Sequence, residues 1–223
     1  MLLDVFTQVP HAFAWQTEQR PLAAVLGSEL ELRLFNYRDT TPLRSGQVDD
    51  DPYGGGAGMV LRVDVVAAAL DAVYGGSPAH RVIALTPQGR PLTQAIVEEL
   101  AQEPQLTLLS SRFEGFDERI VTNLASDAIS IGPYVLSGGE LPAMVLLDAI
   151  ARRLPGALAE GSGEHESFST ELEGGLEYPH YTRPAEFRGW TVPEILFSGD
   201  HGRVAEWRHE QSRERSAKQM RAS

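Results

Sequence analysis

The sequence predicts an α/β fold: a parallel sheet with flanking helices, followed by a small helical C-terminal domain. Three observations carry this. Short apolar runs alternate with helix-patterned segments through residues 1–156, the rhythm of parallel βαβ units. Ala157–Gly175 is poor in aliphatic residues and rich in Gly, Glu and Ser, and reads as a flexible linker. With 223 residues, 42% of them hydrophobic and 22% charged, the chain suits one large domain plus a small one.

Leu2–Phe6 is a short apolar run and a first strand. Pro10–Leu26 reads as a helix burying Phe13, Ala14, Leu22, Val25 and Leu26, kinked at Pro21 and ended by Gly27. Leu30, Leu32 and Leu34 alternate with Glu31 and Arg33, the pattern of a half-buried strand. The loop Asp49-Asp50-Asp51-Pro52-Tyr53-Gly54-Gly55-Gly56-Ala57-Gly58-Met59 follows. Its acids offer hard oxygens to Mg²⁺; a solvated capping cluster is the other reading. No Lys-Ser/Thr follows the glycines, so this is not a nucleotide phosphate loop. Val63–Tyr74 is a strongly apolar helix closed by Gly75-Gly76. Arg81–Leu85 is a strand, Thr86-Pro87-Gln88-Gly89 a turn, Leu92–Ala101 a helix and Leu106–Leu109 a strand. Ser130–Leu141 reads as strand, glycine-rich turn and helix start; Gly132, Gly138 and Gly139 let backbone approach a ligand. The helix runs from Glu140 to about Arg153, with Arg152 and Arg153 in its last turn, and Pro155-Gly156 ends it. A final helix spans about Gly202–Met220.

Composition narrows the function. Without cysteine there are no disulfides and no thiolate metal sites, which fits a cytoplasmic protein. No apolar run approaches the roughly 20 residues of a membrane span, so no membrane partner is expected. Met1-Leu2-Leu3-Asp4-Val5 lacks the basic region of a signal peptide. A net charge of −12 argues against nucleic acid, yet Arg203–Ser223 holds six basic residues against three acids. That segment suits a phosphate backbone, or equally a solvated helix face with i,i+4 pairs. In open parallel sheets ligands bind beyond the carboxyl ends of strands. Thr86–Gly89, Ser110–Gly115 and Ser130–Leu141 all fall there and make a pocket together.

Several segments resemble the bacterial tRNA (guanine-N1-)-methyltransferases of the SPOUT superfamily. They are Asp-Asp-Asp-Pro-Tyr-Gly-Gly-Gly-Ala-Gly-Met at 49–59, Arg112-Phe113-Glu114-Gly115-Phe116-Asp117-Glu118-Arg119, the Ser130–Met144 stretch, and Tyr181-Thr182-Arg183-Pro184. The resemblance runs from Leu3 to about Ser216. Physics alone predicts an unknotted doubly wound sheet; the resemblance implies a trefoil knot at the carboxyl end of the first domain. It implies a knotted S-adenosylmethionine-binding domain over 1–156, a linker over 157–175, and a shortened helical tRNA-binding domain over 176–223. The cofactor residues it implies are Leu85, Thr86, Pro87, Gly89, Ser111, Phe113, Gly115, Ile131, Gly132, Pro133, Tyr134, Val135, Leu136, Gly138, Gly139 and Pro142. Glu114, Asp49 and Tyr53 fall at substrate-binding positions, Arg152 at the position that stabilises charge on the guanine, and Glu166 at that of the general base. Glu164 is the fallback base. A homodimer methylating guanine N1 at tRNA position 37 is implied, with the linker base and the RNA-binding domain supplied by the other subunit. The chain departs from the family pattern at Asp51, Ser111, Phe113, Pro133 and Glu166, where the family favours Arg, Gly, Tyr, Asp and Asp. Those departures keep open the alternative of a catalytically weak or inactive SPOUT protein that binds RNA or cofactor.

Overall fold

The computed structural model describes residues 1–159, 162 and 166–222. Met1–Ala157 and Leu158–Ser223 form separate compact units. In the first unit β1 (Leu2–Thr7) is buried from Leu3 onward. The predicted helix over 10–26 is instead a 3₁₀ turn at Pro10–Phe13 and two single turns, α1 (Ala14–Thr17) and α2 (Leu22–Val25). Pro21 has no N–H to continue a helix and becomes the N-cap of α2. β2 (Glu31–Asn36) pairs parallel to β1, and the Asn36 side chain accepts the Arg38 N–H at 3.0 Å to start α3 (Tyr37–Thr40).

The aspartate-rich stretch enters a two-residue strand, β3 (Asp49–Asp50), antiparallel to β4 (Val60–Leu61). α4 (Val63–Tyr74) has the predicted limits, and Gly75 ends it with φ +74°. β5 (Arg81–Pro91) is longer than expected. It pairs with the last strand at Leu85 and again at Arg90, both opposite Ile129, and extrudes Thr86–Gly89 between them. α5 (Gln94–Leu100) is capped by Thr93, and β6 (Gln105–Ser110) follows. A π turn at Ile120–Leu124 leads into β7 (Asp127–Ser130), and α6 (Glu140–Ala151) completes the unit.

The five strands lie in the order β2-β1-β6-β5-β7, all parallel. Side-chain alternation divides the core. Phe6, Val82 and Leu109 pack with Tyr37, Val65, Val66 and Leu70 on the face covered by α3 and α4. Leu3, Val5, Leu106 and Leu108 have the opposite parity and are buried with α1, α2, α5 and α6 on the other side. Both faces are thus covered, as an all-parallel sheet requires. One buried charge interrupts the α4 face. Asp4 is fully buried and accepts from Arg33 Nε at 2.7 Å and Nη2 at 2.9 Å, from Tyr74 Oη at 2.5 Å and from Gln105 Nε2 at 3.1 Å. A cation and two neutral donors leave that carboxylate satisfied rather than orphaned.

In the second unit a short hairpin, β8 (Glu186–Phe187) and β9 (Trp190–Thr191), precedes α7 (His201–Ala222). Ser212 donates to the Leu176 carbonyl at 2.6 Å and Ser216 Oγ accepts the Leu176 N–H at 2.9 Å, so α7 holds the chain that follows the glycine pair 174–175. The Arg208 guanidinium lies 4.6 Å from the centre of the Tyr178 ring. Among the described residues no helix is long and apolar enough to cross a membrane.

Candidate active site

Three adjacent strands, β6, β5 and β7, end side by side, and the loops leaving them line a cleft of about 140 Å³. Leu85 closes the first paired stretch of β5, and Thr86 and Pro87 come from its extruded segment. Ser111, Arg112, Phe113, Glu114 and Gly115 follow β6, and Ile129–Gly132, Tyr134–Leu136, Gly138, Gly139 and Pro142 come from β7 and the loop into α6. The structure therefore gathers most of the expected cofactor positions into one place. Gly89 and Pro133 do not line it. Gly89 packs on β7 instead: a Cβ there would come 2.6 Å from the Ile129 carbonyl carbon, so the bulge closes only over a bare Cα. Pro133 is exposed at the loop tip.

Bare backbone shapes the cleft. A Cβ on Gly139 would sit 2.7 Å from Ser110 Cα, so the two loops touch main chain to main chain. That contact is fastened by the Gly139 N–H on the Ser111 carbonyl at 2.7 Å and by Ser110 Oγ on the Gly139 carbonyl at 3.1 Å. The Tyr134 ring lies over Gly132, and its hydroxyl donates to the Ile131 carbonyl at 3.1 Å. Apolar walls from Leu85, Ile131, Leu136 and Pro142 stand beside this glycine backbone. Such a mixture suits a flat heterocycle with a polar tail.

Glu114 is exposed at the cleft's rim, next to Gly58 of the glycine-rich loop. Tyr53 in that loop is fully exposed, while Asp49 lies on β3 and does not line the cleft. Asp50 is engaged by Arg62 at 2.7 Å. No group of His, Asp or Glu able to hold a metal ion occurs among the described residues. Arg152 caps the end of α6, its N–H on the Asp148 carbonyl at 3.1 Å. Glu166 belongs to the second unit, half-buried, with its carbonyl accepting the Ser169 N–H at 3.0 Å. Glu164 lies outside the described residues.

One residue escaped the sequence reading. Glu140, the first residue of α6, is only 4% exposed and directly follows Gly138 and Gly139 of the cleft. Thr7 Oγ1 donates to it at 2.8 Å and Arg112 Nε at 3.3 Å. Burial, then the charge on Glu140, pushes the Tyr37 phenol well above its ordinary 10.0. The only signal in the sequence is an acid directly after two glycines; its partners lie 133 and 28 residues away.

The family model described as tRNA (Guanine-1)-methyltransferase TrmD matches residues 1–222. A tRNA (guanine-N(1)-)-methyltransferase of Brevibacillus brevis is 46% identical over 218 residues, which covers 97% of this chain and 88% of that protein. The enzyme of the same name from Synechococcus sp. is 50% identical over 217 residues, 96% of this chain and 88% of its own. That from Geobacillus kaustophilus is 47% identical over 218 residues, with 97% and 88% covered. The chain belongs to the tRNA (Guanine-1)-methyltransferase TrmD family.

Proposed function

We propose that this chain, a tRNA (guanine-N1-)-methyltransferase by family, binds S-adenosylmethionine in the cleft beyond β5, β6 and β7 and methylates guanosine 37, 3′ of the anticodon. The observation that carries the reading is the cradle itself. Apolar walls and unsubstituted glycine backbone converge beyond three parallel strand ends, where such sheets take their ligands. S-adenosylmethionine supplies, when bound, a methyl group already activated on a sulfonium sulfur. The protein's own residues then have two tasks.

Guanine N1 carries a proton at neutral pH, and nucleophilic attack requires its removal. Glu166 is the proposed base: its carboxylate takes that proton as the N1–methyl bond forms and the carbon–sulfur bond breaks. Negative charge growing on O6 is offset by Arg152. Glu114 accepts from the donor edge of the guanine, and Tyr53 and Asp49 flank the RNA. The catalytic unit over 1–156, a trefoil-knotted path of the 130–141 loop, a tRNA-binding unit over 176–223, and a homodimer in which the base crosses from the partner belong to the same proposal. The basic side chains of α7 support RNA contact. No Mg²⁺ ligand set is assigned.

The test is labelled S-adenosylmethionine with tRNA carrying guanosines at positions 36 and 37. Label on N1 of guanosine 37 is expected. Donor binding without transfer would leave a cofactor-binding protein, and no donor binding would overturn the reading. Glu166→Gln is expected to keep donor affinity while cutting single-turnover transfer about 100-fold or more. Unchanged turnover would remove Glu166 from the reaction.

A further inference from the structure

We propose that Glu140 is a positioning residue for the methyl-donor cleft, holding in one arrangement two segments that line it, the loop after β6 and the turn into α6, together with the end of β1, which does not line it; this rests on the reading of the cleft as the donor site. Glu140 stands in the first turn of α6, where the helix N-terminus favours an anion. Its carboxylate is buried, yet two cross-chain donors reach it. Thr7, at the end of β1, donates through a fully buried hydroxyl at 2.8 Å. Arg112, in the loop after β6, donates through Nε at 3.3 Å. The same carboxylate closes over Gly138, where a Cβ would collide with it and come 3.1 Å from Arg112 Cγ. Gly138 is in turn bridged to Arg112 across the two loops.

A buried carboxylate, even one that is paired, often stabilises no more than a well-packed hydrophobic residue in its place. Glu140 is therefore not an efficient way to fill the space at the start of α6. What it does specify is register. It ties Gly138 and Gly139 to the Arg112 loop, so the amides and carbonyls along the cleft stay fixed before any ligand arrives. Fixing them in advance removes an ordering cost from binding.

Two variants test this. Glu140→Gln keeps the shape and an acceptor for Thr7 but loses the ion pair. Thr7→Val keeps the methyl and the volume, removes the donor to Glu140 along with the acceptor of the Val9 N–H, and alters a residue that does not line the cleft. In the ligand-free protein, amide hydrogen exchange at 134–139 is expected to speed up in both, with α4 unchanged. By calorimetry, S-adenosylmethionine affinity is expected to fall about tenfold in Glu140→Gln and less in Thr7→Val, a charge-assisted hydrogen bond being worth about that factor. Transfer at saturating donor, and tRNA affinity, should stay within about twofold of wild type, because the loss falls on KM for the donor rather than on kcat. Folded variants with wild-type exchange and donor affinity would overturn the inference. A uniform loss across donor binding, tRNA binding and kcat would reduce Glu140 to a fold residue. If the wild-type protein itself binds no donor, the reading of the cleft fails first, and this inference with it.

Discussion

Glu114 is held by backbone, and Gly58 makes room for it. The Glu114 N–H donates to the Met59 carbonyl at 2.9 Å, the Leu61 N–H to Gly115 at 3.0 Å and the Asp117 N–H to Leu61 at 3.0 Å. This short ladder lays the carboxylate against Gly58, whose φ is +81° and whose Cβ, if present, would lie 2.6 Å from Glu114 Cγ. Gly58→Ala should push the carboxylate aside. If Glu114 makes the proposed guanine contact, transfer to tRNA is expected to fall about 100-fold, since misplacing such a contact by about 1 Å costs that much. Donor affinity should hold. Gly75→Ala is the control: its φ is +74° with open space around it, so it carries the left-handed strain alone. Adding Gly58→Ala to Glu114→Gln should cost little more than Glu114→Gln by itself. Two independent, additive losses in single-turnover kinetics would separate Gly58 from Glu114. The loops were legible in the sequence because they follow apolar strand runs. The packing of Gly58 on Glu114, and of Glu140 on Thr7, was not: spacing along a chain says nothing of partners brought together by the sheet.

At the scale of elements, periodicity recovered those with one dominant face. α4 has its predicted limits, and α6 starts where expected, because apolar residues recur at helical spacing with a glycine or helix-start signal at the end. It failed where a single residue or a neighbouring strand decided. Pro21 split the helix over 10–26, and pairing with β7 drew Arg90 and Pro91 into β5. The polar network inside the sheet was invisible for the same reason, and it makes stability depend on pH. His80 Nε2 bonds Thr107 Oγ1 of β6 at 2.8 Å, beneath the Tyr74 ring of α4, with Asp4 of β1 and Arg33 of β2 beyond. Burial, helped by Arg33 and opposed by Asp4, lowers its pKa from 6.5. The unfolded chain therefore takes up the proton first as pH falls. The stability His80 lends is present above about pH 6.5 and is lost as pH falls through its lower folded value. Asp64 and Asp117 act in another window: Arg62 and Arg119 hold them below 3.8, so their contribution is lost only in stronger acid. Denaturant midpoints at about pH 7.5 and pH 5.5 should differ in the wild type, and His80→Gln should shrink the difference. An equal drop in both proteins would place the titration elsewhere.

At the scale of the whole molecule, the two proposed catalytic groups are close in sequence but divided by architecture. Arg152 closes α6 in the first compact unit, and Glu166 belongs to the second. A chain that split its chemistry in this way gains a complete site only if the second unit is brought over a donor cleft, its own or a partner's. The proposed homodimer uses the partner's. That arrangement has a consequence no single-chain site shares. Arg152→Ala and Glu166→Gln should each be inactive as pure proteins. Co-expressed with different tags, they form hybrids, and in each hybrid one site receives both substitutions while the other receives neither. With random pairing half of the dimers are hybrids with one intact site of two, so the mixture should regain about a quarter of wild-type activity, and the purified hybrid about half. If each subunit instead builds its own site, every site in the hybrid keeps one lesion and nothing is regained. Doubly tagged hybrid, isolated and weighed as two chains, decides between them: activity near half of wild type supports the crossed site, and activity no higher than either parent sinks it.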